Sequence, residues 1–161
     1  MSEWKEIKLA DVTSKIGSGA TPRGGSNAYQ DEGISLIRSQ NVYDLKFSVN
    51  GLAFLDETQA NFLKNVQVRS NDILLNITGD SVARVCKVPE YILPARVNQH
   101  VAIIRIDEEH TSSDFVLYNL LFQKEELLSQ AEVGATRKAI TKGMLEDFKI
   151  NLPPLPEQEA I

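Results

Sequence analysis

Asp72-Ile73-Leu74-Leu75-Asn76-Ile77 is a short, branched apolar run, and the turn formers Gly79-Asp80-Ser81 follow it almost at once. A run of that length closed in that way reads as a strand. Ala83 to Val88 then reads as the returning partner strand and Val101 to Ile106 as a further β-branched strand, with Pro89 and Pro94 marking the connection between them. Upstream, Lys5 to Leu9 alternates polar and apolar residues as a half-buried strand does. A helical turn is expected around Ala10 to Ile16, a glycine-rich loop over Gly17 to Asn27, and a strand over Ile34 to Ile37.

Helical signals are fewer. Asp56-Glu57-Thr58-Gln59 has the spacing of a capping box and predicts a short helix. One long helix is expected from Asp114 to about Ala131, entered through Thr111-Ser112-Ser113; Leu117, Leu120, Leu121, Leu127 and Leu128 form its apolar stripe, which reads as core. Thr141 is placed to cap a short helix carrying Met144, Leu145 and Phe148, and Lys149 to Leu152 is the last strand. Leu152-Pro153-Pro154-Leu155-Pro156-Glu157-Gln158 then runs into a helix start with Pro156 at its first position. The fold class is therefore α+β: a mixed, twisted sheet of short strands, one long amphipathic helix, and the start of a C-terminal helix.

With 161 residues the chain suits one domain with a core of its own. A single cysteine, Cys86, excludes a disulfide framework, and with two histidines the chain has too few soft ligands for a structural zinc site. No apolar run approaches the length of a bilayer span, and Glu3 and Glu6 stand where a signal peptide would be basic, so the expectation is a cytoplasmic protein with no membrane partner. The net charge is -5 but unevenly spread. Residues 107 to 132 hold seven acids and one base, a net of -6, whereas residues 60 to 105 hold six bases and three acids, a net of +3. The molecule is expected to be electrically polar, with an acidic helix on one side.

Catalysis finds little support. The glycine-rich cofactor turn of a methyltransferase is missing, and Asn151-Leu152-Pro153-Pro154-Leu155 breaks the Asn-Pro-Pro-aromatic pattern that methylates base amino groups. A metal-dependent nuclease needs converging carboxylates, which nothing here supplies. Asp80, His100 and Cys86 carry acid, base and nucleophile chemistry without any sign that they meet. No catalytic residue, metal or cofactor is expected on this chain.

Duplex DNA readers carry Arg, Asn and Gln for base edges and Ser, Thr and backbone amides for phosphates, set on loops and strand ends. Candidates of this kind are Thr21 and Arg23; Arg38, Gln40 and Asn41; Thr78 and Ser81; Arg84; Asn98, Gln99 and His100; and Thr136, Arg137 and Lys138. Each has a plainer reading as well. Thr21-Pro22 shapes a turn, Asn41 and Asp80 make local backbone bonds, His100 beside an apolar strand is commonly structural, and Arg84 suits any exposed strand. Taken singly, the plainer reading is the stronger for most. Tyr29, Tyr43, Phe47 and Phe54 form no regular stacking platform, and Trp4 is expected in the core, so a duplex fits better than a single strand.

Several pieces in order carry a resemblance: Trp4, Ile7 and Leu9; Ser18-Gly19-Ala20-Thr21-Pro22; Asn71 to Leu75; Thr78-Gly79; Asn98-Gln99-His100-Val101-Ala102; Gly134-Ala135-Thr136-Arg137-Lys138-Ala139-Ile140; and the Leu152 to Gln158 segment. Together they resemble the DNA specificity subunits of type I restriction-modification systems, across nearly the whole chain. The resemblance implies a non-catalytic target-recognition domain over residues 1–152 that reads half of a bipartite double-stranded DNA target through loops entering the major groove. It puts binding ahead at Arg137-Lys138 and at Gln40-Asn41. Residues 153–161 would begin the spacer or dimerisation helix. The implied partners are modification (methyltransferase) subunits, which bring S-adenosylmethionine, and restriction subunits, which bring ATP-driven translocation and cleavage. Such subunits usually carry two recognition domains joined by long helices. This chain matches one, so it is expected to be a single recognition domain or half of a subunit that pairs with a second half. The competing class is a protein-interaction module of the same fold that uses its acidic helix as the binding face.

Overall fold

Ile73, Leu74 and Leu75 are all fully buried, and so are Val101, Ile103 and Ile104. Strands lose every side chain to the interior only when both faces of their sheet are covered, and that condition organises the molecule. The coordinates are a computed structural model, which describes residues 3–132 and 139–160.

In chain order, the first half contains β1 (Lys5–Lys8), β2 (Thr13–Ser18), β3 (Ile34–Ile37), β4 (Val42–Tyr43), β5 (Lys46–Phe47), β6 (Ala53–Leu55) and α1 (Glu57–Phe62). Next come β7 (Ile73–Asn76), β8 (Val85–Lys87), β9 (Ala95–Val97) and β10 (Val101–Ile106). The last third holds α2 (Ser113–Phe122), α3 (Lys124–Glu132), α4 (Lys142–Asp147), β11 (Lys149–Leu152) and α5 (Leu155–Glu159). The fold is α+β, as its sequence pattern implies.

The central sheet has the order β2-β10-β7-β8, antiparallel throughout. Ile73, Leu75, Val85, Ala102 and Ile104 face one core, where Leu117, Leu120, Leu127, Leu145, Phe148 and Ile150 cover them. Leu74, Cys86, Val101 and Ile103 face the other, against Leu36, Ile37, Leu55 and Val97 of the β6-β3-β9 sheet. Alternation along each strand thus feeds two cores rather than a core and solvent. β1 pairs with β11, and β4 with β5.

Ile34–Ile37, the Asp56 capping box, the Thr141 cap and the Lys149–Leu152 strand are found where the sequence places them. Other expectations need correction. The helical turn covers only Leu9–Val12; Thr13 onward is strand β2, because Ile16 pairs with Ile104 and completes the edge of the central sheet. Strand β9 was not anticipated, since three residues after a proline are too few to show a period. The single long helix is two, broken at Gln123. α2 packs on β8, with Lys87 binding Ser113 and Asp114 at its start, whereas Leu127 and Ala131 of α3 must turn to reach the core shared with Leu145 and Phe148. Pro156 occupies the second helical position, after Leu155. Trp4 is 48% exposed rather than core: its ring meets Phe115 edge-on at 5.9 Å, and its indole N–H donates to Glu157 at 3.1 Å.

Candidate nucleic-acid interface

Strand direction decides where the polar loops go. Ser18 lies opposite Ala102, Val101 opposite Asn76, and Leu75 opposite Val85. The ends of β2 and β7 and the starts of β10 and β8 therefore share one end of the central sheet. β3 and β9 run parallel, Ile37 beside Val97, and Asn98 N–H donates to the Ile37 carbonyl at 3.0 Å, which brings their ends to the same place. Loops that are remote in sequence converge there.

Thr21 follows β2 and donates its hydroxyl to Gln99 at 2.6 Å, tying that loop to the β9–β10 connection. His100 Nδ1 meets the Thr78 hydroxyl. Ser81 accepts from Asn76 Nδ2 at 3.0 Å, and the same amide donates to the Ser39 carbonyl at 3.0 Å, so the loops after β3 and β7 are stitched together by one buried asparagine. Arg23 is exposed and lines a surface depression of about 570 Å³ with Thr21, Gln59 and Phe62. Arg38 lies over the Tyr29 ring and donates to the Gly51 carbonyl, with Gln40 exposed beside it. Arg84 lies over the Tyr43 ring.

Two candidates turn inward. Asn41 is fully buried, accepting from the Arg38 amide at 2.9 Å and donating to the Ser48 carbonyl at 2.9 Å, so its side chain is spent on shaping the loop. Asn98 is also buried, and its Oδ1 accepts the His100 amide at 2.9 Å. Both are supports for neighbours that face out. Thr136, Arg137 and Lys138 lie outside the described residues. Ala139, which follows them, bridges Thr78, and Ile140 N–H donates to the Ile77 carbonyl at 2.8 Å, at this same end.

Not every base is available. Arg105 binds Asp72 through Nε and Nη2 at 2.9 and 2.8 Å, and the Asp72 side chain is completely buried. Arg96 is buried, donating to the carbonyls of Ala60 and Ala95 at 3.1 Å each, and burial lowers its pKa from the ordinary arginine value. Cys86 faces the second core; burial, reinforced by the Asp44 carboxylate, pushes its thiol up to about 12 against a partial offset from a backbone hydrogen bond at Tyr43. A thiol held protonated in this way is a poor nucleophile. Among the described residues, no cluster of His, Cys, Asp and Glu is placed to hold a metal ion, and no helix is long and apolar enough to cross a membrane.

Four of the seven acids in residues 107 to 132 stand away from this end: Asp107, Glu108 and Glu109 follow the end of β10, and Asp114 pairs with Lys87 at the far end of β8. The α2–α3 junction reaches back toward the loops, where Lys124 pairs with Asp44 in the β4–β5 turn, whose Oδ1 accepts the Val85 amide at 3.2 Å. Asp44, Tyr29, Tyr43, Gly51 and Asn76 were not singled out from the sequence for this site. Only Asn76, an amide closing an apolar run, carries a local signal.

The type I restriction modification DNA specificity domain model matches residues 1–161. The chain belongs to that family. It is 27% identical over 165 residues to the type I restriction enzyme MjaVIII specificity subunit of Methanocaldococcus jannaschii, covering 99% of this chain and 38% of that protein. The HsdS subunit from Thermoanaerobacter tengcongensis superimposes with a TM-score of 0.72 at 24% identity, over 98% of this chain and 35% of that one. A chain from a structure of a type I R-M system gives a TM-score of 0.75 at 24% identity, covering 98% of this chain and 36% of the other. This specificity domain thus spans little more than a third of the length of these relatives.

Proposed function

We propose that this specificity domain reads duplex DNA with the loop-bearing end of its sheets, as the non-catalytic, site-choosing part of a type I restriction-modification assembly. The convergence of Thr21, Arg23, Arg38, Gln40, Thr78, Ser81, Arg84, Gln99 and His100 at one end carries this reading. Arginine and glutamine address base edges in the major groove, while hydroxyls and backbone amides hold phosphates. Lys138 is assigned to phosphate and Arg137 to a base.

In the assembly, residues 1–152 form the recognition domain for one half of a bipartite target, and residues 153–161 begin the spacer helix. Modification subunits supply S-adenosylmethionine and adenine methylation, and restriction subunits supply translocation and cleavage, all in the cytoplasm. A second recognition domain or half-subunit reads the other half-site. Alone, the 161-residue chain is monomeric and binds DNA weakly, with Kd near the range of ~10⁻⁴ to 10⁻⁶ M, phosphate contacts supplying most of the affinity and base contacts a residual sequence preference.

Fluorescence anisotropy with a labelled duplex tests the proposal. Binding should fall steeply with salt and vanish when Arg23, Arg84, Arg137 and Lys138 are neutralised together. Affinity that ignores salt, or that survives those substitutions, would favour a protein-interaction module instead.

A further inference from the structure

Tyr29, in the loop before β3, and Tyr43, at the end of β4, each carry an arginine on the ring face. Arg38 Cζ is 5.1 Å from the Tyr29 centroid and Arg84 Cζ is 4.9 Å from the Tyr43 centroid. Both arginines belong to the loop-bearing end.

Arg38 is gripped further. Its Nη2 donates to the Gly51 carbonyl, and its Nε is buried without a partner among the described residues. Gly51 has φ 70°, a left-handed conformation that favours glycine, and the tip of the exposed Gln40 side chain lies beside it. Arg84 makes no side-chain hydrogen bond or ion pair among the described residues, which leaves the ring as its restraint. The backbone beside that ring is anchored. The turn after Tyr43 is bonded to Val85, the neighbour of Arg84, through Asp44 Oδ1 and through Leu45 N–H, which donates to the Val85 carbonyl at 2.9 Å.

A guanidinium on an aromatic face keeps its in-plane N–H edge free, and that edge is what pairs bidentately with guanine. Face and edge do not compete at Arg84; at Arg38, with Nη2 on the Gly51 carbonyl and Nε buried, the Nη1 end is what remains. An ion pair is different: Arg105 has already given its edge to Asp72. Holding the plane in advance also removes rotamer freedom that would otherwise be lost on binding.

We propose that Tyr29 and Tyr43 are positioning residues for base readout, their rings holding the N–H edge of Arg84 and the Nη1 end of Arg38 toward the major groove. This inference rests on the duplex-reading proposal above.

The test captures a randomised pool of 20-base-pair duplexes at low salt on the purified 161-residue chain, sequences it before and after capture, and compares variants by their enrichment of the wild-type preferred sequences. Tyr43→Leu and Tyr29→Leu should each reduce the preference about three- to tenfold, as expected for loss of a partly exposed cation–π pair. Tyr43→Phe and Tyr29→Phe should stay within about twofold of wild type, because the ring face remains. The salt slope of total binding should not change, since no phosphate contact is removed. In an Arg84→Ala background, Tyr43→Leu should have no further effect. Should Tyr29→Leu unfold, Tyr29→Phe and the Tyr43 set decide. Leucine variants with wild-type preference, or an undiminished Tyr43→Leu effect without Arg84, would overturn the inference and leave duplex reading intact. A wild-type chain that enriches nothing would overturn both.

Discussion

Gly19 sits where the loop after β2 crosses the end of β9. A Cβ at this position would lie 2.0 Å from the Val97 carbonyl oxygen and 2.9 Å from a Val66 methyl, while the Gly19 amide donates to the Asn98 carbonyl at 3.0 Å. Backbone cannot yield as a flexible side chain can. Gly19→Ala is expected to lower the unfolding free energy by about 1–3 kcal/mol, the usual cost of overpacking, measured by urea denaturation; an unchanged midpoint would show that the loop moves aside freely. The Ser18-Gly19-Ala20-Thr21-Pro22 segment is recognisable from its letters alone, but its physical reason is a carbonyl 78 residues away at Val97. Candidate side chains divide in the same way. Thr21 and Arg23 are legible as polar loop residues, and the local backbone bond expected of Asn41 is made with the Arg38 amide, as Asn98 makes one with the His100 amide; the full burial of both is what their own neighbourhoods do not announce.

At the scale of elements, short strands with strong apolar runs were readable, because β7 and β10 carry branched residues that suit any buried strand. Their two-sided burial was not, since it requires a second sheet made partly of the three-residue β9. The helix break at Gln123 was hidden for a related reason: a leucine stripe specifies which face is apolar, not that two successive segments cover different parts of one core. The β4–β5 hairpin is too small to hold itself and depends on Asp44, which binds the Val85 amide and Lys124. Asp44→Ala should therefore speed hydrogen exchange at the Val85 amide while costing roughly 1 kcal/mol overall, because an exposed ion pair adds little and one hydrogen bond is modest. Unaltered exchange at Val85 would show that the hairpin is anchored elsewhere.

For the whole molecule, charge counting anticipated the asymmetry but overstated the positive surface. Two of the six bases in residues 60 to 105 are internal, Arg96 by burial and Arg105 by its bond to Asp72, so the segment offers less positive surface than its letters imply. Asp107, Glu108, Glu109 and Asp114 stand at the other end of the central sheet, away from the loops that bear the candidate residues. That six strand termini deliver their loops to one place follows from register and direction, and the proposed reading of DNA rests on it. Backbone amide shift mapping by NMR, with a 20-base-pair duplex titrated into the isotope-labelled chain at low salt, tests it most directly. The account predicts perturbations concentrated at Thr21, Arg38, Gln40, Thr78, Arg84, Gln99 and His100. Perturbations centred instead on the exposed Trp4, Tyr118 and Phe122 surface, or on α3, would contradict it.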